Sequence, residues 1–420
     1  MKRRSDEGRS VSFVAGCLCA SVVLCVIDGA IRKWVYQDGT PSFQAITYFA
    51  KDAPLVAAFL YSLGRGEAGR SEQLRSCLIV GTFAIAAGCA VKLQAYSPVG
   101  AVVSLRGLLF LPWFAYVAGP HCNCRWDLHA VGIAIGASAI LNAFLGASQF
   151  ALPLDHVLNQ QSSSAVTAVG DVGRIRASGT FAYISGMAAM CIGACWVGAA
   201  LILRNRASAL GYACIVAGLV CTSAAVSRSG ALVGLLLVVF PLLLINSGRV
   251  LLIALVATIV ALYGFVGGVV GEVNTEEASL QTAVAARVQT ADSFDERSSG
   301  TFSQVPDAIG NYPLGVGLGR AQASAAAVSE QDAIYEYEPA RIAYEIGLLG
   351  LLGTAIIRAG FIWEFWRARR RGGDAACTAT GLTFSGLALV ITIVFDHNTA
   401  TFWAVAMTVC LGARRIERGR

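Results

Sequence analysis

Charge is scarce in this chain. Asp, Glu, Lys and Arg make up only 14% of its 420 residues, against about 25% in an average soluble domain. Hydrophobic residues reach 56% and mean hydropathy is +0.63. Too few charges exist to clothe a soluble protein of this length, which excludes a soluble enzyme and a disordered chain. The one long polar stretch, residues 271–340, contains none of the 13 cysteines. Nearly all of these lie in apolar runs, where the thiol behaves as a small hydrophobe, so a disulfide-stapled secreted module is excluded too. The alternating segments of a membrane β-barrel are missing, as is any internal repeat of the transporter kind. The net charge of +6 is no sign of a nucleic-acid partner, because the basic residues sit at the ends of apolar runs.

What is present is a succession of apolar runs, each near the ~17–25 residues that carry a helix across ~30 Å of hydrocarbon. They predict an all-α integral membrane protein with twelve spans: 11–27, 43–63, 76–95, 99–119, 128–151, 180–203, 208–226, 229–245, 250–270, 341–363, 377–395 and 399–413. The first run follows Lys2, Arg3, Arg4 and Arg9, as a signal peptide would. It lacks a small-residue cleavage site and leads straight into Ile31-Arg32-Lys33-Trp34, so it counts as a span. Residues 1–270 then hold spans one to nine, 271–340 form a polar loop, and 341–420 hold spans ten to twelve and a tail.

Short-loop Lys and Arg set the orientation. With the N-terminus cytoplasmic, the cytoplasmic segments carry 19 of the 32 basic residues, among them Arg65, Arg70, Arg75, Arg204, Arg206 and the run Arg369-Arg370-Arg371. Both termini are therefore expected inside. Residues 271–340 fall outside, with 11 acids and only Arg287, Arg297 and Arg320 as bases. Helical spacing of Leu280, Val284, Arg287 and Val288 predicts an amphipathic helix over 278–294. A glycine-rich string follows at 313–319, and the whole loop reads as a folded cap. A second outer loop, 152–179, ends in Arg174 and Arg176.

Arg228, in Ser227-Arg228-Ser229-Gly230 between two spans, has no acid near it in sequence. Either it snorkels to the interface, or it holds an anion, which a guanidinium grips with a two-pronged hydrogen bond. Arg174, Arg176, Arg287, Arg297 and Arg341 also stand outside, against the inside bias. Salt bridges to the acidic loop explain such a cluster, and so does a bound anionic substrate. Glu336-Tyr337-Glu338-Pro339-Ala340-Arg341 opens the tenth span. Its acids suit a helix dipole, and equally a general base beside a cationic clamp. Glu338 and Arg341, three apart, can share a helix face. Gly315, Gly317 and Gly319 fit tight turning or close approach to a ligand better than a nucleotide loop. His121-Cys122-Asn123-Cys124 is half a metal site without a second half, so no metal is expected. Asp396-His397-Asn398 reads as core polarity at a helix end. Lys51 and Asp52, inside the second span, are expected to pair with each other or with Arg32.

Four strings in this order resemble one family: Arg176-Ala177-Ser178-Gly179-Thr180-Phe181; Ser227-Arg228-Ser229-Gly230; Pro313-Leu314-Gly315-Val316-Gly317-Leu318-Gly319; and Tyr344-Glu345-Ile346-Gly347-Leu348-Leu349-Gly350. The family is the O-antigen ligase and O-antigen polymerase group, exopolysaccharide polymerases included. The likeness covers about 174–350. It implies a GT-C-like bundle and a glycosyltransferase that needs neither metal nor cofactor, in the bacterial inner membrane. Its donor is an undecaprenyl-diphosphate-linked glycan at the periplasmic face, and its acceptor a second glycan. A flippase and a chain-length co-polymerase are implied as further partners. Arg228 matches the family's first diphosphate-binding arginine and Arg297 the second. Where the ligases keep a histidine, eleven residues before Gly347, this chain has Glu336, and residues 157–396 hold no histidine at all. That favours a polymerase over a ligase to lipid A core and leaves Glu336 and Glu338 as candidate bases. A transporter of lipid-linked glycans is the alternative from another class.

The topology is directly testable. Reporter fusions at residues 66 and 420 should report cytoplasm and a fusion at 300 periplasm; a cytoplasmic signal at 300 defeats the orientation and the mechanism resting on it.

Overall fold

The computed structural model describes residues 11–35, 46–47, 49–66, 71–91, 98–122, 124–153, 155–160, 176–204, 207–225, 227–245, 303–319, 337–389 and 397–412. Among them every regular element is helical and no strand occurs. In chain order, α1 is Phe13–Ala30, running on through a π turn at Ile31–Val35; α2 is Ala53–Gly64; α3 is Glu72–Val91. α4 begins as Pro98–Leu105, widens into a π turn at Arg106–Phe110 and resumes as Leu111–Ala118. α5 is Cys124–Ala151, α6 Ile184–Leu203, α7 Ser208–Ala224 and α8 Arg228–Ile245. Residues 303–311 form α9. α10 is Glu338–Arg370, α11 Ala375–Leu387 and α12 His397–Gly412.

Among the described residues six helices are long and apolar enough to cross a membrane: Phe13–Val35, Glu72–Ala90, Gly100–His121, Trp126–Ala151, Ile184–Leu203 and Glu338–Arg370. Ala53–Gly64, Ser208–Ala224 and Ser229–Ile245 are apolar but shorter. The expected ninth span, 250–270, and the expected helix over 278–294 lie outside the described residues. Every other expected span meets a helix.

The expected second span, 43–63, is interrupted. Lys51 and Asp52 form a turn, and α2 starts afresh behind them with Pro54, a residue suited to a first helical turn. The carbonyl of Lys51, exposed by the interruption, accepts a hydrogen bond from Ser21 Oγ at 2.7 Å. The π turn in α4 has a similar local cause. Pro112 lacks an N–H and its ring crowds the carbonyl four residues back, so the helix widens just before it.

Buried charges tie these two irregularities together. Lys51 is 1% exposed and its Nζ lies 3.2 Å from Asp28 Oδ2, while Arg32 Nε lies 3.3 Å from Asp28 Oδ1. Asp52 takes Arg106 with both oxygens, at 2.6 and 2.7 Å, and Arg106 also donates to Thr401 Oγ1 at 2.7 Å. Lys51 and Asp52 thus pair with Asp28 and Arg106 and not with each other. Adjacent residues in a turn point apart, which leaves each facing a different helix.

Elsewhere the helices close on small residues, as membrane helices do. Gly198 and Gly211 meet so tightly that a Cβ on either would stand 2.7 or 2.8 Å from the other's carbonyl oxygen. Gly81 and Gly353 bring α3 against α10 in the same way.

The two ends of the bundle sort cleanly. At one end Ser12 donates to Asp127, Ser71 to Glu364, Arg204 pairs with Asp374, and Arg369 reaches the carbonyl of Leu244. All of these belong to segments that the charge bias puts inside. At the other end Lys33 meets Ser178, Arg176 meets Ala225, and Gly319 touches Gly100.

The Asp52–Arg106 pair gives a stability test. Breaking a buried pair from one side costs about 3–5 kcal/mol because it strands a charge. Asp52→Leu should sharply lower the unfolding temperature in detergent, and Asp52→Leu with Arg106→Leu should recover most of the loss. An unchanged melting temperature for the single variant would show that the pair carries no stability.

Candidate functional site

The first of the four strings lies along the end of the helix that precedes the second, and the remaining two assemble on each other. Ala177 N donates to Ala224 O at 3.1 Å, and Arg176 Nε to Ala225 O at 3.1 Å. The 176–181 segment therefore lies along the end of α7, beside the turn that leads into Arg228. Ser227 N returns to Thr222 O at 3.0 Å and closes that turn. Arg228 opens α8, while its side chain, together with all of Arg174, Arg297 and Glu336, lies outside the described residues. The backbone thus brings Arg176 and Arg228 to one place.

Three side chains that the sequence reading passed over hold this segment. Lys33 Nζ donates to Ser178 Oγ at 2.8 Å and to Gly179 O at 3.1 Å. Gln149 exchanges a pair of hydrogen bonds with Gly179, both at 2.9 Å. Asn142 Oδ1 accepts from Thr180 N at 2.8 Å and Thr180 Oγ1 at 3.0 Å. Gly179 has φ +59°, a conformation that costs other residues strain. Asn142 and Gln149 are amides inside an otherwise apolar span; that is the signal by which they can be found, since a buried amide needs a partner.

The second assembly is a break in α10 and a clasp that closes it. Gly347 has φ +73° and ψ −168°, a region open essentially to glycine alone. The break frees backbone groups that the apolar surroundings cannot satisfy. The segment Pro313–Gly317 supplies their partners. Val316 N donates to Tyr344 O at 2.8 Å, Gly317 N to Glu345 O at 3.0 Å, and Leu348 N to Pro313 O at 3.0 Å. Gly315, Gly317 and Gly319 have φ of +75°, +116° and +84°. A Cβ on Gly315 would stand 2.5 Å from Glu345 O, and one on Gly319 2.7 Å from Ala101 N. Gly315 thus serves close backbone approach to the protein's own broken helix, and Gly319 to the start of α4. Tyr312 and Tyr344 meet edge to face at 5.0 Å, and Ser104 Oγ donates to Glu345 at 2.9 Å.

The break reverses the chain. Glu338 and Arg358, 20 positions apart, form an ion pair. A straight helix would hold them about 30 Å apart. The short arm, 338–346, therefore folds back beside the long arm, 348–370. Leu351 packs with Ala340, Ala343 and Tyr344 accordingly. This replaces the expected straight span, 341–363. Glu338 is 0% exposed and sits beside the middle of the long arm, not at the mouth of a span, and its partner Arg358 also reaches the carbonyl of Ala388. Arg341 is on the short arm and half-buried.

The two assemblies are linked by the buried chain of Lys33, Asp28, Lys51, Asp52, Arg106, Ser104 and Glu345, neighbours in sequence or space along α1, α2 and α4. No model of a known protein family matches the chain, and a search of curated protein sequences finds no significant match.

The clasp makes its own prediction. Gly347→Ala forces a side chain into a forbidden backbone region and sets its Cβ 2.5 Å from Pro313 O, a strain of at least about 1–3 kcal/mol. The variant should lose thermal stability and gain protease sensitivity near 313–319; behaviour like the native protein would mean the clasp is dispensable.

Proposed function

We propose that this protein is a polymerase of undecaprenyl-diphosphate-linked oligosaccharide repeat units, for exopolysaccharide, O-antigen or capsule. It works at the periplasmic face of the bacterial inner membrane, with twelve spans, both termini inside, and residues 271–340 as the outer cap. The observation that supports this reading is the hydrogen-bonded meeting of the last two strings, with the first lying beside the turn that leads into the second, at the end of the bundle that charge bias puts outside. A chance likeness scattered through an apolar sequence gives no reason for such meetings.

In the reaction an acceptor hydroxyl oxygen attacks the anomeric carbon of the donor glycan. The bond from that carbon to the diphosphate oxygen breaks, and the electron pair leaves with the diphosphate. Arg228, Arg176, Arg174 and Arg297 neutralise the charge that grows there. The hydroxyl proton passes to a carboxylate. Glu338 is enclosed and ion-paired, which suits it to fixing the short arm, so Glu336, two residues before it, is the better acceptor for that proton. Arg341 completes the cationic surroundings from the same arm.

A specific observation favours a second reading. A helix broken within its apolar length, with charges at its deep end, is how transporters build a substrate site. A flippase for the same lipid-linked glycan is therefore the alternative, ahead of a ligase to lipid A core.

Losing one charge-stabilising donor should cost about 2–4 kcal/mol in the transition state. Arg228→Ala should accumulate single repeat units on the lipid carrier at unchanged protein level, and Arg228→Lys should rescue poorly because an ammonium cannot grip two oxygens. Repeat units trapped on the cytoplasmic side indicate the flippase instead, and long polymer left on the carrier the ligase. Near-normal polymer from Arg228→Ala ends the assignment.

A further inference from the structure

Three helices enclose a small cavity beside the middle of the long arm of α10. Its volume is about 10 Å³, and it is lined by Gly107, Leu108 and Pro112 of α4, Thr354 and Arg358 of α10, and Trp403 of α12. All six are buried. The volume is close to the least that holds one water molecule. Two groups on its walls call for a partner. Trp403 is 3% exposed, and its Nε1 has no hydrogen-bond partner among the described residues. A buried indole N–H ordinarily finds one. The second group follows from the π turn. Leu111 N donates to Arg106 O, five residues back. In that register the donor for Gly107 O would be residue 112, which is a proline and has no N–H. A carbonyl without a donor is costly in an apolar interior. Thr354 Oγ1 also lies on the wall. It donates to Gly350 O at 2.9 Å, which leaves its oxygen able to accept.

We propose that this cavity is a binding site for a single bridging water. The water accepts from Trp403 Nε1 and donates to Gly107 O and Thr354 Oγ1, which gives it the two to four polar partners a buried water needs. The walls select this occupant. They offer both a donor and acceptors, so the ligand must be able to accept and to donate, and the volume admits nothing larger. An anion would meet the Gly107 carbonyl unfavourably, and it is not needed for charge, because Arg358 is already paired with Glu338. Bound there, the water joins α4, α10 and α12 beside that ion pair, at the one place where a proline has opened the backbone of α4. The site stands on the geometry and is the same whether the chain polymerises lipid-linked glycans or transports them.

The test is oxidative footprinting of the full chain in lipid nanodiscs, with oxidised peptides read by mass spectrometry. X-ray radiolysis makes hydroxyl radicals from any water beside a side chain, bound water included. Peroxide photolysis makes them only in bulk solution. Trp196 of α6 is the internal standard, the same side chain at 0% exposure. Radiolysis should oxidise Trp403 at least about tenfold faster than Trp196 if a water sits against the ring. Photolysis should leave both tryptophans protected. Pro112→Ala returns an N–H to the backbone of α4 and removes the water's main acceptor, so the radiolytic rate at Trp403 should fall to that of Trp196. Equal rates for the two tryptophans in the native chain under radiolysis mean a dry cavity and overturn the site. Rapid oxidation of Trp403 under photolysis means a channel open to solvent and overturns a single bound water. A rate that Pro112→Ala leaves unchanged overturns the bridge to the carbonyl.

Discussion

Inside a membrane a carbonyl or N–H that leaves its helix finds no water to replace the lost bond. This one constraint organises the molecule. Where α10 breaks at Gly347, Pro313–Gly317 comes in from a distant part of the chain to meet Tyr344, Glu345 and Leu348. Where the second apolar stretch breaks at Lys51, Ser21 supplies the donor. Where α4 widens at Arg106, that arginine is taken up by Asp52 and Thr401. Each irregularity meets a partner from another part of the chain, so the irregularities are also places where separate segments are fixed to one another.

The charges obey the same logic. A lone ion in hydrocarbon costs several kcal/mol even after relaxation, and several of the described buried ones are ion-paired. Asp28 takes Lys51 and Arg32, Asp52 takes Arg106, and Glu338 takes Arg358. Each pair joins segments that are apart in the chain: α1 to the turn before α2, that turn to α4, and the two arms of α10.

The helices were largely legible in the sequence because hydropathy is a property of each run by itself. So was the sorting of the two ends, since loop arginines carry it locally. What was not legible depends on backbone sign and on folded distance. Gly347 in Gly347-Leu348-Leu349-Gly350 reads like any small residue that eases helix packing; nothing in that string tells that its φ is positive. Once a straight helix is assumed, Glu338 and Arg341 are neighbours and Arg358 is out of reach. One inverted torsion reverses that geometry. Lys51 and Asp52 were expected to pair because they adjoin, but adjacency in a turn separates side chains. Lys33, Asn142 and Gln149 were passed over because each stands alone in an apolar context, and their shared target, the backbone of Ser178–Thr180, has no signature of its own. The order of the four strings gave no sign of which would meet; that came only with the hydrogen bonds of Val316, Gly317 and Leu348.

The interrupted second stretch bears on how the chain enters the membrane during synthesis. Residues 43–63 emerge carrying Lys51 and Asp52 midway, and α4 follows with Arg106. Lys51 and Arg106 follow their partners Asp28 and Asp52 in the chain, whereas Asp52 emerges before its own. Asp28 is already in place when Lys51 arrives, so the first two segments can be released as a unit. Asp52 must wait through the whole of α3 for Arg106. The early third of the protein is thus bound to partition into lipid as a group of four segments rather than one by one, and the order of its charges along the chain is the order in which that group can close.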